Sequence, residues 1–132
     1  MTNIRTIATT MTRSLLPAAA LVALPLSIDD ASAAGRAGTK VTIDRAGSDL
    51  FGTVSSTRAA CEDNRKVVLF KQRGTRGGGD DIRVLSDTTE IQGNVGVWST
   101  GNTGEAGKFY AKATRTSVCK AGFSPTITVP TK

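Results

Sequence analysis

The chain has 132 residues, with 17 Lys and Arg against 11 Asp and Glu, a formal net charge of +6, two cysteines and no histidine. Without histidine, Ser-His-Asp triads, Cys-His pairs and histidine-ligated metal centres are excluded within this chain. An aromatic content of 5% leaves few rings for stacking, and the length suits one domain.

Residues 1–13 carry Arg5 and Arg13 and no acid, residues 14–26 form an apolar stretch rich in Leu and Ala, and Ala31-Ser32-Ala33 follows. Basic, apolar and then small residues are the layout of a secretory signal peptide, which predicts a leader over residues 1–33 and one mature domain over 34–132. The apolar stretch is roughly a dozen residues long, short of the ~20 needed to span a bilayer. Pro17 and Pro25 interrupt it as well, so the mature chain is expected to have no membrane span. Met11 is a second candidate start beside Met1. No cysteine stands at the cleavage point and residues 126–132 hold neither a sorting motif nor a hydrophobic tail, so the expected product is secreted and released.

Two cysteines behind an export leader are expected to pair, Cys61 with Cys119, because disulfides persist in oxidising compartments. Closing a loop of about 60 residues contributes roughly 4 kcal/mol in the chain-entropy model. That is a large share of a typical stability of about 5–15 kcal/mol. A domain this small buries only about 65% of its unfolded surface, so such a staple matters.

In the mature region, turn residues alternate with short β-type runs, and no stretch keeps a helical period. Residues 41–43 alternate and lead to a turn over Ala46-Gly47-Ser48-Asp49. Residues 50–55 follow, with Leu50, Gly52 and Val54 on one face. Residues 66–72 are the strongest strand, with Val67 and Leu69 on one side and Val68 and Phe70 on the other, which predicts a central strand covered on both faces. A glycine-rich connection over residues 73–80 leads to strands at 82–85, 95–99 and 109–114, the last placing Phe109, Ala111 and Ala113 together. Residues 124–129 close the domain with Ile127 and Val129 facing inward. The fold class expected is all-β, a small seven-stranded antiparallel β-sandwich, immunoglobulin-like or transthyretin-like, with a small barrel as the alternative.

Leu50-Phe51-Gly52-Thr53-Val54, Arg65-Lys66-Val67-Val68-Leu69-Phe70, Ser86-Asp87-Thr88-Thr89 and Gly107-Lys108-Phe109-Tyr110-Ala111-Lys112-Ala113 occur in that order. Together they resemble a transthyretin-like domain, and are similar to the carboxypeptidase regulatory-like β-sandwich module. The resemblance covers most of residues 39–129 and implies a noncatalytic sandwich with no agreed ligand; fold analogy alone does not supply a function. The cysteine pair is an addition to that superfamily's pattern.

The remaining chemistry is sparse. Asp80, Asp81 and Asp87 flank one predicted strand, and Glu62 and Asp63 follow Cys61. Asp80 and Asp81 read as solvated loop residues; the alternatives are a weak calcium site and glycoside cleavage, the latter needing a deep cleft and gripping aromatics. Residues 101–108 lack phosphate-loop glycine spacing and are read as a hairpin connection. The Arg73-Gly74-Thr75-Arg76-Gly77-Gly78-Gly79 run is read as a flexible strand connection. The lone Trp98 reads as packed against the core or the disulfide; the alternative is that Trp98 and Tyr110, if exposed on one surface, form a sugar-binding platform. Lys and Arg, Arg65 and Lys66 among them, are scattered along the chain and read as solvated surface, without the density of specific nucleic-acid binding.

These readings point to a secreted, noncatalytic sandwich in a structural or protein-interaction role at or outside the cell envelope, with no cofactor. Its expected partner is a protein or a cell-envelope polymer. The alternative is a carbohydrate or cell-wall binding module, distinguished by joint exposure of Trp98 and Tyr110 beside Arg or Lys. An enzyme would need Asp80, Asp81 or Asp87 to converge with another carboxylate in a pocket.

Overall fold

The structure, a computed structural model, describes residues Gly35–Lys132; the expected leader over residues 1–33 lies outside them. Within them the chain forms ten strands: β1 Lys40–Val41, β2 Asp44–Ala46, β3 Asp49–Ser55, β4 Lys66–Lys71, β5 Ile82–Thr88, β6 Glu90–Gln92, β7 Val95–Asn102, β8 Gly107–Ala113, β9 Gly122–Phe123 and β10 Ile127–Val129. A single 3-10 turn, Ala59–Cys61, is the helical element among the described residues.

The strands build two antiparallel five-stranded sheets. The first runs β1-β3-β7-β6 with β2 also on β3, and the second runs β10-β8-β4-β5 with β9 also on β8. Alternation dictates the faces. Val41, Leu50, Val54 and Trp98 from the first sheet meet Val67, Leu69, Phe109, Ala111, Ala113 and Val129 from the second in one buried core, flanked by Ile43, Val84 and Ile127. This is a β-sandwich with its core between the sheets.

Ten strands replace the expected seven, the additional ones being β2, β6 and β9. Two of them are halves of broken edge strands. β1 and β2 pair with opposite ends of β3, and at the break the Thr53 amide donates to the hydroxyl oxygen of Thr42 at 2.9 Å instead of to a carbonyl. β9 and β10 pair with opposite ends of β8, and there the Ala111 amide donates to the hydroxyl oxygen of Ser124 at 2.8 Å. In both places a hydroxyl stands in for the ladder, so no donor is orphaned where the edge bends. β6 follows a change of sheet at Thr89, the residue between β5 and β6. Thr89 is buried; its hydroxyl donates to the Glu62 carbonyl at 2.6 Å and accepts the Arg65 amide at 2.7 Å.

Glycine permits close backbone approach at two places. Gly52 lies opposite Trp98, and a Cβ there would stand 2.0 Å from the Thr42 carbonyl oxygen and 2.8 Å from the indole nitrogen. The indole therefore covers a bare backbone while the Thr42 carbonyl turns in beside it. At Gly96 a Cβ would lie 2.0 Å from the Glu62 carbonyl oxygen, so the segment after the 3-10 turn can rest on β7.

Cys61 and Cys119 form the expected disulfide, with Cα atoms 5.7 Å apart across a separation of 58 residues. Beside it Arg65 is buried, 2% exposed, against its reading as solvated surface. Its guanidinium donates to the carbonyls of Cys61, Thr114 and Lys120 at 2.9, 2.9 and 2.7 Å and to the Thr39 hydroxyl at 3.1 Å. No carboxylate is among these partners. Burial lowers its pKa, but arginine starts so high that the group stays cationic, solvated by carbonyl dipoles. Ala37, paired with Cys119 in a parallel bridge, ties the start of the domain to the same cluster.

Candidate functional site

The second sheet turns Val67, Leu69, Phe109 and Ala111 inward, which leaves the alternate positions on its outer face. Cross-strand registers align Lys66 with Thr88, Ser86 with Val68 and Lys112, Arg83 with Phe70 and Tyr110, Lys112 with Phe123, and Lys108 with Thr128. Cations from three strands thus share one face with three rings, and these strands direct no acidic side chain outward there. The first sheet differs: Lys40, Asp44 and Glu90 mix both signs on its outer face.

The rings form a row. Phe70 stacks on Tyr110 with centroids 5.3 Å apart and planes 12° from parallel, and Phe123 lies 6.2 Å from Tyr110 on its other side. Lys112 holds its ammonium 5.4 Å from the Phe123 centroid. Tyr110 is 2% exposed, whereas Phe123 is 44% exposed and Phe70 half-buried. A cleft of about 230 Å³ opens among Phe70, Tyr110, Phe123, Lys112, Asp81 and the backbone of Gly77 and Gly79.

The glycine-rich connection between β4 and β5 roofs this cleft, held by Asp81. That carboxylate accepts the Tyr110 hydroxyl at 2.5 Å, the Arg73 amide at 2.9 Å and the Gly77 amide at 2.8 Å. The bond from Tyr110, then those from the amides, keep the Asp81 carboxyl below its ordinary pKa. Burial, reinforced by the neighbouring carboxylate, pushes the Tyr110 phenol up to about 12. Arg76 reaches from the same loop to the Ser124 carbonyl, fastening its far end. The loop is therefore a latched cover and not merely a flexible connection. Gly77 and Gly79, at φ of +78° and +100°, supply the left-handed turns that let it double back.

Trp98 and Tyr110 do not share an exposed surface, so the condition for a sugar-binding platform is not met. Trp98 lies in the core between the sheets, 1% exposed, and Tyr110 is buried on the outer side of the second sheet. Asp81 and Asp87 sit at opposite ends of β5, roughly 20 Å apart at the usual rise per residue. Asp87 is engaged with the Ser99 amide at 2.7 Å, and Asp80 is exposed beside Gly74. Among the described residues no three His, Cys, Asp or Glu side chains gather to hold a metal ion. Glu62 and Asp63 border a shallow depression with Ala59, Ala60, Ile91, Gly93 and Asn94.

Residues 101–108 also depart from the expected hairpin connection. They join β7 in the first sheet to β8 in the second, so they bridge the sandwich instead of closing a hairpin. The turn is built on Asn102, whose side-chain oxygen accepts the Gly104 amide at 2.7 Å, and Glu105 pairs with Lys71 at 3.2 Å. The residues that sequence reasoning missed are Arg65, which reads as one more cation, and Phe70 and Phe123, whose neighbourhood depends on strand pairing.

Compared with protein-family models and with curated protein sequences, the chain matches none.

Proposed function

We propose that the chain is an exported, noncatalytic β-sandwich module that acts by binding, in a structural or protein-interaction role at or outside the cell envelope. The outer face of the second sheet carries this reading: Lys66, Arg83, Lys108 and Lys112 surround Phe70, Tyr110 and Phe123 on a surface with no outward acid from its strands. An exposed ring such as Phe123 is the kind of side chain that interfaces enrich, and cations at the rim of such a patch steer and orient a partner of opposite charge. The buried Cys61–Cys119 disulfide supports export, since such bonds last in oxidising compartments. No helix among the described residues is long and apolar enough to cross a membrane.

The strand order supports the immunoglobulin-like form over the transthyretin-like one. With each broken edge taken as one strand, the first sheet follows the A-B-E-D order and the second the G-F-C order, with β5 added beside C. The carbohydrate alternative rested on Trp98 and Tyr110 standing exposed together, and both are buried.

The test is to recover the tagged chain from culture medium and challenge envelope fractions of the producing cell with it. Retention that protease treatment of the fraction abolishes supports the protein-interaction role. Retention that survives protease and disappears on glycan degradation would replace it with the carbohydrate reading.

A further inference from the structure

Resting on the binding-module reading above, we propose that the outer face of the second sheet docks an acidic polypeptide segment, one of whose apolar side chains seats in the cleft among Phe70, Tyr110 and Phe123.

Charge comes first. Lys66, Arg83, Lys108 and Lys112 face outward together, while the acids that approach, Asp80 and Asp81, belong to the covering loop. Asp81 is already engaged by Tyr110, Arg73 and Gly77, and the loop brings Arg73 and Arg76 of its own. Lys and Arg only donate hydrogen bonds, and the Tyr110 hydroxyl is spent on Asp81. A face of donors suits carboxylates, which only accept. A neutral sugar would leave these cations without a counter-charge.

Size comes second. At about 230 Å³ the cleft is smaller than the ~300–1,000 Å³ of small-molecule sites. It suits a single side chain, which makes its occupant part of a longer chain. The accessible rings, Phe70 and Phe123, are phenylalanines without a polar edge, matched to apolar carbon. Nucleic acid would need open ring faces for base stacking. Here Phe70 is stacked on Tyr110 and Lys112 stands over Phe123. An aromatic anchor ringed by cations therefore fits an acidic peptide with an embedded apolar residue.

The test uses the full chain, oxidised, in binding assays at physiological salt with a glutamate–tyrosine copolymer, polyglutamate, polygalacturonate and oligo-dT. The copolymer is expected to bind about tenfold more tightly than polyglutamate, because its rings fill the cleft. Phe123→Ala and Lys112→Glu should each weaken that binding about tenfold, with Lys108→Glu as a further exposed variant, while Lys40→Glu on the first sheet leaves it unchanged. Equal affinity for the copolymer and polyglutamate would overturn the proposal, as would equal losses from Lys40→Glu and Lys112→Glu. Preference for polygalacturonate or oligo-dT would reassign the face to a glycan or to nucleic acid. Absence of all binding would overturn it too, yet protease-sensitive retention on envelope fractions would leave the binding-module reading standing.

Discussion

The hydroxyl of Tyr110 donates to a carboxylate oxygen of Asp81 across 2.5 Å, joining the outer face of the second sheet to the loop that covers it. Tyr110 is the only tyrosine in the chain, so the latch has its own optical signal. Phenolate absorbance should rise with a midpoint near pH 12, well above the ~10 of a free tyrosine. Asp81→Asn should move that midpoint part of the way down toward ~10, burial keeping the rest of the rise; a wild-type midpoint already at ~10 would mean that the phenol is neither buried nor latched in solution.

The same shifts set the pH window of stability. The phenol is neutral in the fold and ionises more easily unfolded, so its contribution is whole below about pH 10 and is lost as the pH rises toward 12. Asp81, held below its ordinary pKa, contributes above about pH 4 and ceases to as the pH falls through its folded value. Denaturant midpoints should therefore fall at both extremes, and Asp81→Asn should remove Asp81's part of the acid flank while only reducing the alkaline one, because burial is the larger cause of the phenol's shift.

Arg65 is the buried cation that binds the disulfide region to two strand ends. Arg65→Ala leaves the carbonyls of Cys61, Thr114 and Lys120 without this donor and should cost about 2–4 kcal/mol in denaturant unfolding. Arg65→Lys should recover little, because one ammonium cannot spread its donors as the planar fork does. A loss below about 0.5 kcal/mol, the level of ordinary surface changes, would return Arg65 to the solvated surface.

Reduction of the Cys61–Cys119 bond should lower the melting temperature by roughly 15 °C or more, from a loop-closure contribution near 4 kcal/mol. An unchanged melt would remove the staple from the account of stability.

Gly52→Ala and Gly38→Ala form a matched pair. At Gly52 the new carbon collides with the Thr42 carbonyl and the Trp98 indole, whereas at Gly38 nothing lies within 4 Å. The first should cost about 1–3 kcal/mol and quench or shift tryptophan fluorescence; the second should be close to neutral.

Strand alternation and the cysteine pair were legible because each depends on residues close in sequence or on there being two thiols to pair. Val67, Leu69 and Phe109 go where their alternation sends them. The broken edges were not legible: Thr42 and Ser124 read as ordinary polar residues until their hydroxyls are seen replacing ladder carbonyls. Arg65 was hidden because a cation at a strand start signals water unless several carbonyls converge on it. The basic, ring-lined face was hidden for a related reason. Lys66, Arg83, Lys112 and Phe123 are far apart in the chain and become neighbours only through the pairing of β4 with β5 and β8 and of β8 with β9.

The central claim is that the outer face of the second sheet is the binding side of this module. Amide chemical-shift mapping of the oxidised chain, titrated with the glutamate–tyrosine copolymer, addresses it most directly. Perturbations confined to Phe70, Gly77, Lys112, Phe123 and their neighbours are the predicted result. Perturbations centred on Lys40, Phe51 and Glu90 of the first sheet, or spread evenly over both faces, would contradict it.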